Sequence, residues 1–178
     1  MSGGPADSIL WVAEGRAALL AQVARATLAG WFKDQLLERP AEGVFHERDV
    51  LEVLLVGALR EELSLSEAKG LWRNLRRTGV VGEFLDLAEE ISSAEDRLDL
   101  IMDPAMGRIK FARDAGALLE AVRDEHRART VYVAPLGARI LLAREGFANF
   151  ANTDPSPTVR RGRPPQKRAT LSSINPDL

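Results

Sequence analysis

The spacing of apolar residues changes once along this chain, near residue 97, and that change limits the possible folds more than any other feature. Before it, the spacing is helical. Val50, Leu51, Val53, Leu54, Val56 and Leu59 recur on one face, and Ala68, Leu71, Trp72 and Leu75 on another. After it, Leu98, Leu100 and Met102 alternate, then Ile109 and Phe111, across the turn sequence Asp103-Pro104-Ala105-Met106-Gly107. A β-hairpin is expected there. The chain therefore reads as α+β, with helices first and a small αβ unit after them. Its 178 residues suit one domain or two small ones.

Local signals set expected boundaries. Ser8 can cap a first helix carrying Ile9, Leu10, Val12, Ala13, Ala17 and Leu20, with Gly15 weakening its middle. Val23, Leu28, Trp31 and Phe32 form a second apolar set. Pro40 and Gly43 break the chain between Glu38 and Phe45, which reads as a short hairpin with a polar tip. A helix follows from about Glu47. Ser64-Leu65-Ser66-Glu67 matches a capping box, and the helix it opens should stop at Gly79. The expected division is a helical unit over 7–79, an acid-rich helical connector over 80–96, an αβ unit over 97–151 and a tail over 152–178. In the αβ unit Asp114 can cap a helix holding Leu118, Leu119 and Val122, and Thr130–Ala134 reads as a strand stopped by Pro135. Ile140–Leu142 suits either a strand or a helix. The tail holds five prolines and no apolar period, so disorder is expected.

Several chemistries are excluded or unsupported. The absence of cysteine removes disulfides, thiolate zinc sites and cysteine nucleophiles. His46 and His126 are the two histidines, 80 positions apart, so a histidine metal centre is not expected. Gly137 and Gly146 belong to no phosphate-loop pattern. Asp99, Asp103 and Asp114 suit turn and cap duties better than a hard cation. No nucleophile–base pair can be named, so an enzyme is not expected, and no cofactor is implied. No stretch reaches the roughly 20 apolar residues of a membrane span. The start of the chain shows no signal-peptide pattern, so a cytoplasmic protein is expected.

The net charge of −2 hides an asymmetry. Residues 155–178 carry five basic groups against Asp177, a balance of +4, while the remaining 154 residues carry 19 basic and 25 acidic groups, a balance of −6. A basic extension on an acidic body suits a nucleic-acid partner.

Two blocks carry a resemblance. The first comprises Ala18-Leu19-Leu20-Ala21-Gln22-Val23-Ala24-Arg25-Ala26-Thr27-Leu28-Ala29-Gly30-Trp31 followed by Leu36-Leu37. The second comprises Val44-Phe45-His46-Glu47-Arg48-Asp49-Val50 and Leu59-Arg60-Glu61-Glu62-Leu63-Ser64-Leu65-Ser66-Glu67-Ala68. Together they resemble the MerR-type winged helix-turn-helix family over about 70 of the 178 residues. The resemblance implies a helix-turn-helix, a wing-like hairpin and two more helices. It does not extend to thiolate sensing, for want of cysteine, nor to a long dimerisation helix, because Glu83–Ile91 is short for a coiled coil.

Residue chemistry points the same way. A recognition helix entering a major groove about 12 Å wide needs small exposed residues, and Ala24, Ala26, Ala29 and Gly30 supply them. Arg25 stands where such a helix meets base edges or phosphates. Thr27 and Lys33 suit phosphate contacts. Arg39 on the hairpin can reach the backbone or minor groove, with His46 and Arg48 close behind. Glu38, Glu42 and Glu47 oppose phosphate.

In the tail, Arg161-Gly162-Arg163-Pro164 resembles an AT-hook. Gly162 lets the backbone enter a narrow minor groove, Arg161 and Arg163 lie along its floor, and Pro164 holds the chain extended. Arg160, Lys167 and Arg168 suit flanking phosphates.

The expected function is that of a transcription regulator, a repressor bound to double-stranded DNA rich in A·T tracts. A homodimer and association with the nucleoid are expected. Two further readings stay open: an antitoxin-like or adaptor protein that binds a protein partner through residues 97–151, and an architectural chromosome-associated protein.

Overall fold

The computed structural model describes residues 10–104, 107–125, 131–151 and 153. Ser8, His126 and the whole basic motif of the tail lie outside the described residues. The protein is α+β: seven helices and two small antiparallel sheets among the described residues.

The chain enters through β1 (Val12–Ala13) and α1 (Glu14–Leu20). The helix expected from Ser8 thus begins at Glu14. The residues just before it are extended because Val12 and Ala13 pair with β2 (Val44–Phe45), which buries Val12 and Phe45 completely. This pairing also replaces the expected hairpin at Glu38–Phe45. Pro40 has no N–H to donate, and Glu42 and Gly43 take left-handed backbone at φ 60° and 70°. A single 3₁₀ turn, Ala41–Gly43, consumes the segment, and only Val44 and Phe45 remain extended.

Helix α2 (Arg25–Lys33) follows a tight turn after α1. Both helices end the same way. Gln22, at φ 58°, donates its backbone N–H to the Leu19 carbonyl while Val23 donates to Ala18. Gln35, also at φ 58°, donates to Phe32 while Leu36 donates to Trp31. These are the paired bonds that close a helix through one left-handed residue, a role glycine fills most often.

α3 (Glu47–Glu62) is the hub, with every residue from Val53 to Leu59 buried, and it touches α1, α4, α5 and α7. α4 (Leu65–Thr78) starts in the expected capping box: the Ser64 N–H donates to Glu67 at 2.9 Å, and the Glu67 N–H donates to the Ser64 hydroxyl at 3.3 Å. It stops at Gly79, which is left-handed at φ 82°. α5 (Val80–Glu89) lies in the segment expected as a helical connector and buries Val81, Phe84, Leu85 and Ala88.

The expected hairpin at 98–111 is present as β3 (Asp99–Asp103) and β4 (Arg108–Ala112). β5 (Tyr132–Pro135) adds on the other side of β3, giving the order β4-β3-β5. Leu100 and Met102 join the main core, where Phe111 meets Phe84 at 5.6 Å between ring centroids. α6 (Ala115–Glu125) packs on β3 and β4. Asp114 caps it, its carboxylate accepting from the Ala117 N–H at 2.8 Å. Ile140–Leu142 lies in α7 (Gly137–Phe150), which folds back onto α1 and α3.

Two glycines and one arginine hold α7 in place. A Cβ on Gly137 would fall 2.4 Å from the Asp96 carbonyl oxygen, and one on Gly146 would fall 2.3 Å from the Leu20 side chain. Arg144 reaches across to α5. Its Nη1 donates to the carbonyls of Ala88, Glu89 and Ile91 at 3.1, 2.8 and 2.7 Å, and its Nε donates to Glu47 at 2.7 Å. The last carbonyls of a helix have no partner inside it, and a cation there also meets the negative end of the helix dipole.

Candidate nucleic-acid interface

α2 is apolar on one side and bare on the other. Leu28 and Trp31 are buried, while Ala24, Arg25, Ala26 and Thr27 are four successive exposed residues at its N-terminus. Its first turn contains no acidic residue. Unpaired N–H groups and the helix dipole make such an end favourable for anions. The Arg25 side chain is 75% exposed, with Glu14 at 3.9 Å, a loose contact.

Beside this end lies a shallow depression of about 220 Å³, lined by Gln22, Thr27, Trp31, Arg60 and Arg139 among others. Arg60 comes from the end of α3 and Arg139 from the start of α7. Neither the Arg60 nor the Arg139 Nε–H has an acceptor, although both atoms are shut off from solvent. The rest of each guanidinium is engaged: Arg60 donates to the Leu63 carbonyl, and Arg139 pairs with Glu61 at 3.1 Å. A buried donor without an acceptor costs about 1–3 kcal/mol.

Sequence reasoning missed Arg60 and Arg139. Arg139 is 114 positions from Arg25 and arrives only because α7 packs on α3. One signal was present. Gly57 interrupts the apolar run of α3, and a Cβ there would stand 3.3 Å from Val23 and 3.8 Å from the Arg139 guanidinium. A glycine inside a helix marks a close approach.

The six expected contact residues in the described part fall into two groups. Arg25 and Arg39 converge on Glu14: Arg39 pairs with it at 3.1 Å and also lies over the Phe32 ring, 5.1 Å from its centroid. Thr27 lines the depression. Lys33 is exposed at the far end of α2. His46 and Arg48 are spent on holding the fold. The His46 ring Nδ1 donates to the Leu10 carbonyl at 2.9 Å, and the His46 N–H donates to Asp49 at 2.8 Å at the head of α3. Arg48 donates to Glu89 at 2.8 and 3.1 Å and reaches Asp86 at 3.5 Å. The Glu89 hydrogen bond, followed by its charge, raises the Arg48 guanidinium above its ordinary value. The expected tail contacts Arg160, Arg161, Gly162, Arg163, Pro164, Lys167 and Arg168 lie outside the described residues.

Glu52, on α3 toward the other end of α2, is held above the ordinary carboxylate range, chiefly by burial, with the Arg76 charge opposing. Asp99 is buried and paired with Arg97, a structural duty. Among the described residues no helix is long and apolar enough to cross a membrane. No protein-family model and no curated protein sequence matches the chain.

Proposed function

We propose that the protein is a DNA-binding transcription regulator of the winged helix-turn-helix kind, with α1 and α2 as the helix-turn-helix and α2 as the recognition helix. The observation that carries this is the N-terminal end of α2: four exposed residues in a row, three of them small or hydroxylic, on a helix whose other side is locked into the core. Small side chains let the helix enter the major groove, and Arg25 is then long enough to reach a guanine edge or a phosphate. In this reading Thr27, Arg60 and Arg139 would meet the phosphate backbone beside it.

The reading assigns the tail a separate task. Arg161-Gly162-Arg163-Pro164 adds affinity in A·T-rich minor grooves, with Arg160, Lys167 and Arg168 on flanking phosphates. Bound as a symmetric dimer, the protein would read half-sites about 34 Å apart.

Fluorescence anisotropy with the full chain tests the proposal on random, A·T-rich and selected duplexes at two salt concentrations. Binding to the selected duplex should be tighter, and should weaken with salt. Deleting residues 155–178 should lower affinity for A·T-rich duplexes more than for others and flatten the salt dependence by about 0.9 per lost phosphate contact. Equal affinity for all duplexes would overturn site-specific reading. No measurable binding at low salt would overturn the proposal.

A further inference from the structure

A second concavity lies at the opposite end of α2. It measures about 920 Å³ and opens between the end of α2, the segment after it and α4. That is within the roughly 300–1,000 Å³ of small-molecule sites. Its walls divide into two kinds. Half-buried Phe32 and the edges of the nearly buried Leu36 and Trp72 form the apolar side, while Arg39, Arg73 and Arg76 supply three guanidinium groups. Glu38 is the one carboxylate among the lining residues, and its side chain is 90% exposed.

Arg39 is held by Glu14 at 3.1 Å and by the Phe32 ring, whereas the commitments of Arg73 and Arg76 are weak. Arg73 is exposed and has no carboxylate partner among the described residues. Arg76 meets Glu38 at 3.8 Å and Glu52 at 4.0 Å, both at the edge of ion pairing. Trp72 is buried to within 3%, and its indole N–H has no acceptor. Most buried indoles find one. The wall therefore combines surplus positive charge, ring faces and one orphaned donor.

We infer that this groove is a binding site for a small aromatic carboxylic acid. Its carboxylate would take paired N–H groups from Arg73 and Arg76, the geometry guanidinium matches best. Its ring would lie on Phe32, Leu36 and Trp72, and a small shift of the wall would give the indole N–H an oxygen to meet. A bare phosphate or a nucleic-acid backbone would leave the apolar half of the wall unused. Because Arg39 lines the groove and also pairs with Glu14 beside Arg25, an occupant would act on the recognition end. That last consequence rests on the DNA-binding reading; the site itself does not.

The test uses the full chain without DNA, so its outcome is independent of DNA binding. The probes are 2-naphthoate, 2-naphthalenemethanol and 2-naphthylmethylamine, followed by calorimetry and by the indole N–H resonances of the three tryptophans. Naphthoate should bind at least tenfold more tightly than the alcohol, and the amine more weakly still. Arg73→Gln, at an exposed and unpaired position, should keep the fold and weaken naphthoate about fivefold. Arg73→Gln with Arg76→Gln should weaken it more than tenfold. Arg25→Ala should leave it unchanged. The resonance lost in Trp72→Phe should be the one that moves. Equal binding of acid and alcohol, unchanged binding in the arginine variants, or shifts confined to Trp11 or Trp31 would each overturn the inference.

Discussion

Arg25 and Arg48 look alike in the sequence: each is the second or first residue of a helix, and each follows a turn. In the folded chain they belong to different economies of charge. At the end of α2 Arg25 is loosely held, 3.9 Å from its carboxylate, while Arg60 and Arg139 are engaged by the Leu63 carbonyl and Glu61 and leave only their Nε–H groups without acceptors. The head of α3 commits its basic side chains to the fold: Arg48 to Glu89 and Asp86, the His46 ring to the Leu10 carbonyl, and Arg144 from α7 to Glu47 and the carbonyls of Ala88, Glu89 and Ile91 at the end of α5 and just beyond it. A basic residue is available to a partner only when no nearer acceptor claims it. Burial and pairing settle that question, and sequence spacing does not.

The largest effect that would sharpen this contrast is at Arg144. Its guanidinium is mostly buried and serves four acceptors, so Arg144→Ala removes the side-chain donor from three carbonyls at once, of which Ala88 keeps the Ile91 N–H. Hydrogen bonds to charged groups contribute about 1.5–3 kcal/mol each, without simple additivity. A loss of about 3 kcal/mol in urea unfolding is expected, with Arg144→Lys recovering little of it, because one ammonium cannot span the set. A loss under about 1 kcal/mol would show that the α3 side does not depend on its cations.

A smaller effect separates cap from charge on the same side. Ser64→Ala should lower stability by about 1 kcal/mol, the usual worth of an N-cap hydroxyl. The partner carboxylate of Glu67 is held below its ordinary range, first by its hydrogen bonds with Ser64. A lowered folded value means that its contribution is present above the ordinary glutamate range and is lost as pH falls through the folded value. The Ser64→Ala penalty should therefore shrink on acidification. A penalty that grows in acid would contradict the capping box.

The smallest effect concerns the turn that sets the α2 end. Gln22 occupies left-handed backbone that glycine adopts without cost. Gln22→Gly should be neutral or stabilising by up to about 1 kcal/mol, and should leave DNA affinity unchanged. Reduced DNA affinity in this variant would mean that the Gln22 side chain, which also lines the depression, is itself a contact.

Much of the fold was legible because its signals are local. The Ser64–Glu67 capping box, the stop at Gly79, the alternation at Leu98–Phe111 and the Asp114 cap each need only a few neighbouring residues. What escaped depends on distant partners. Val12 and Ala13 become a strand because Val44 and Phe45 lie alongside, and no periodicity in either segment shows it. α1 and α2 end at Gln22 and Gln35, where glycine would have been the sign. The candidate site divides in the same way. Arg25 and Thr27 follow from their place after the α1–α2 turn, and Arg39 stands in an expected hairpin that the chain does not form, whereas Arg60 and Arg139 meet only after α7 has packed on α3.

The most direct measurement is a paired titration of one selected duplex with the wild-type chain, Arg25→Ala, Arg139→Gln and Arg48→Ala, at two salt concentrations. Arg25→Ala is expected to lose about 1–3 kcal/mol of specific binding, and Arg139→Gln to weaken all duplexes alike while lowering the salt slope by about 1. Arg48→Ala should bind as the wild type does, since its guanidinium already belongs to Glu89. Unchanged binding in Arg25→Ala and Arg139→Gln together with a loss in Arg48→Ala would reverse the assignment of the two faces.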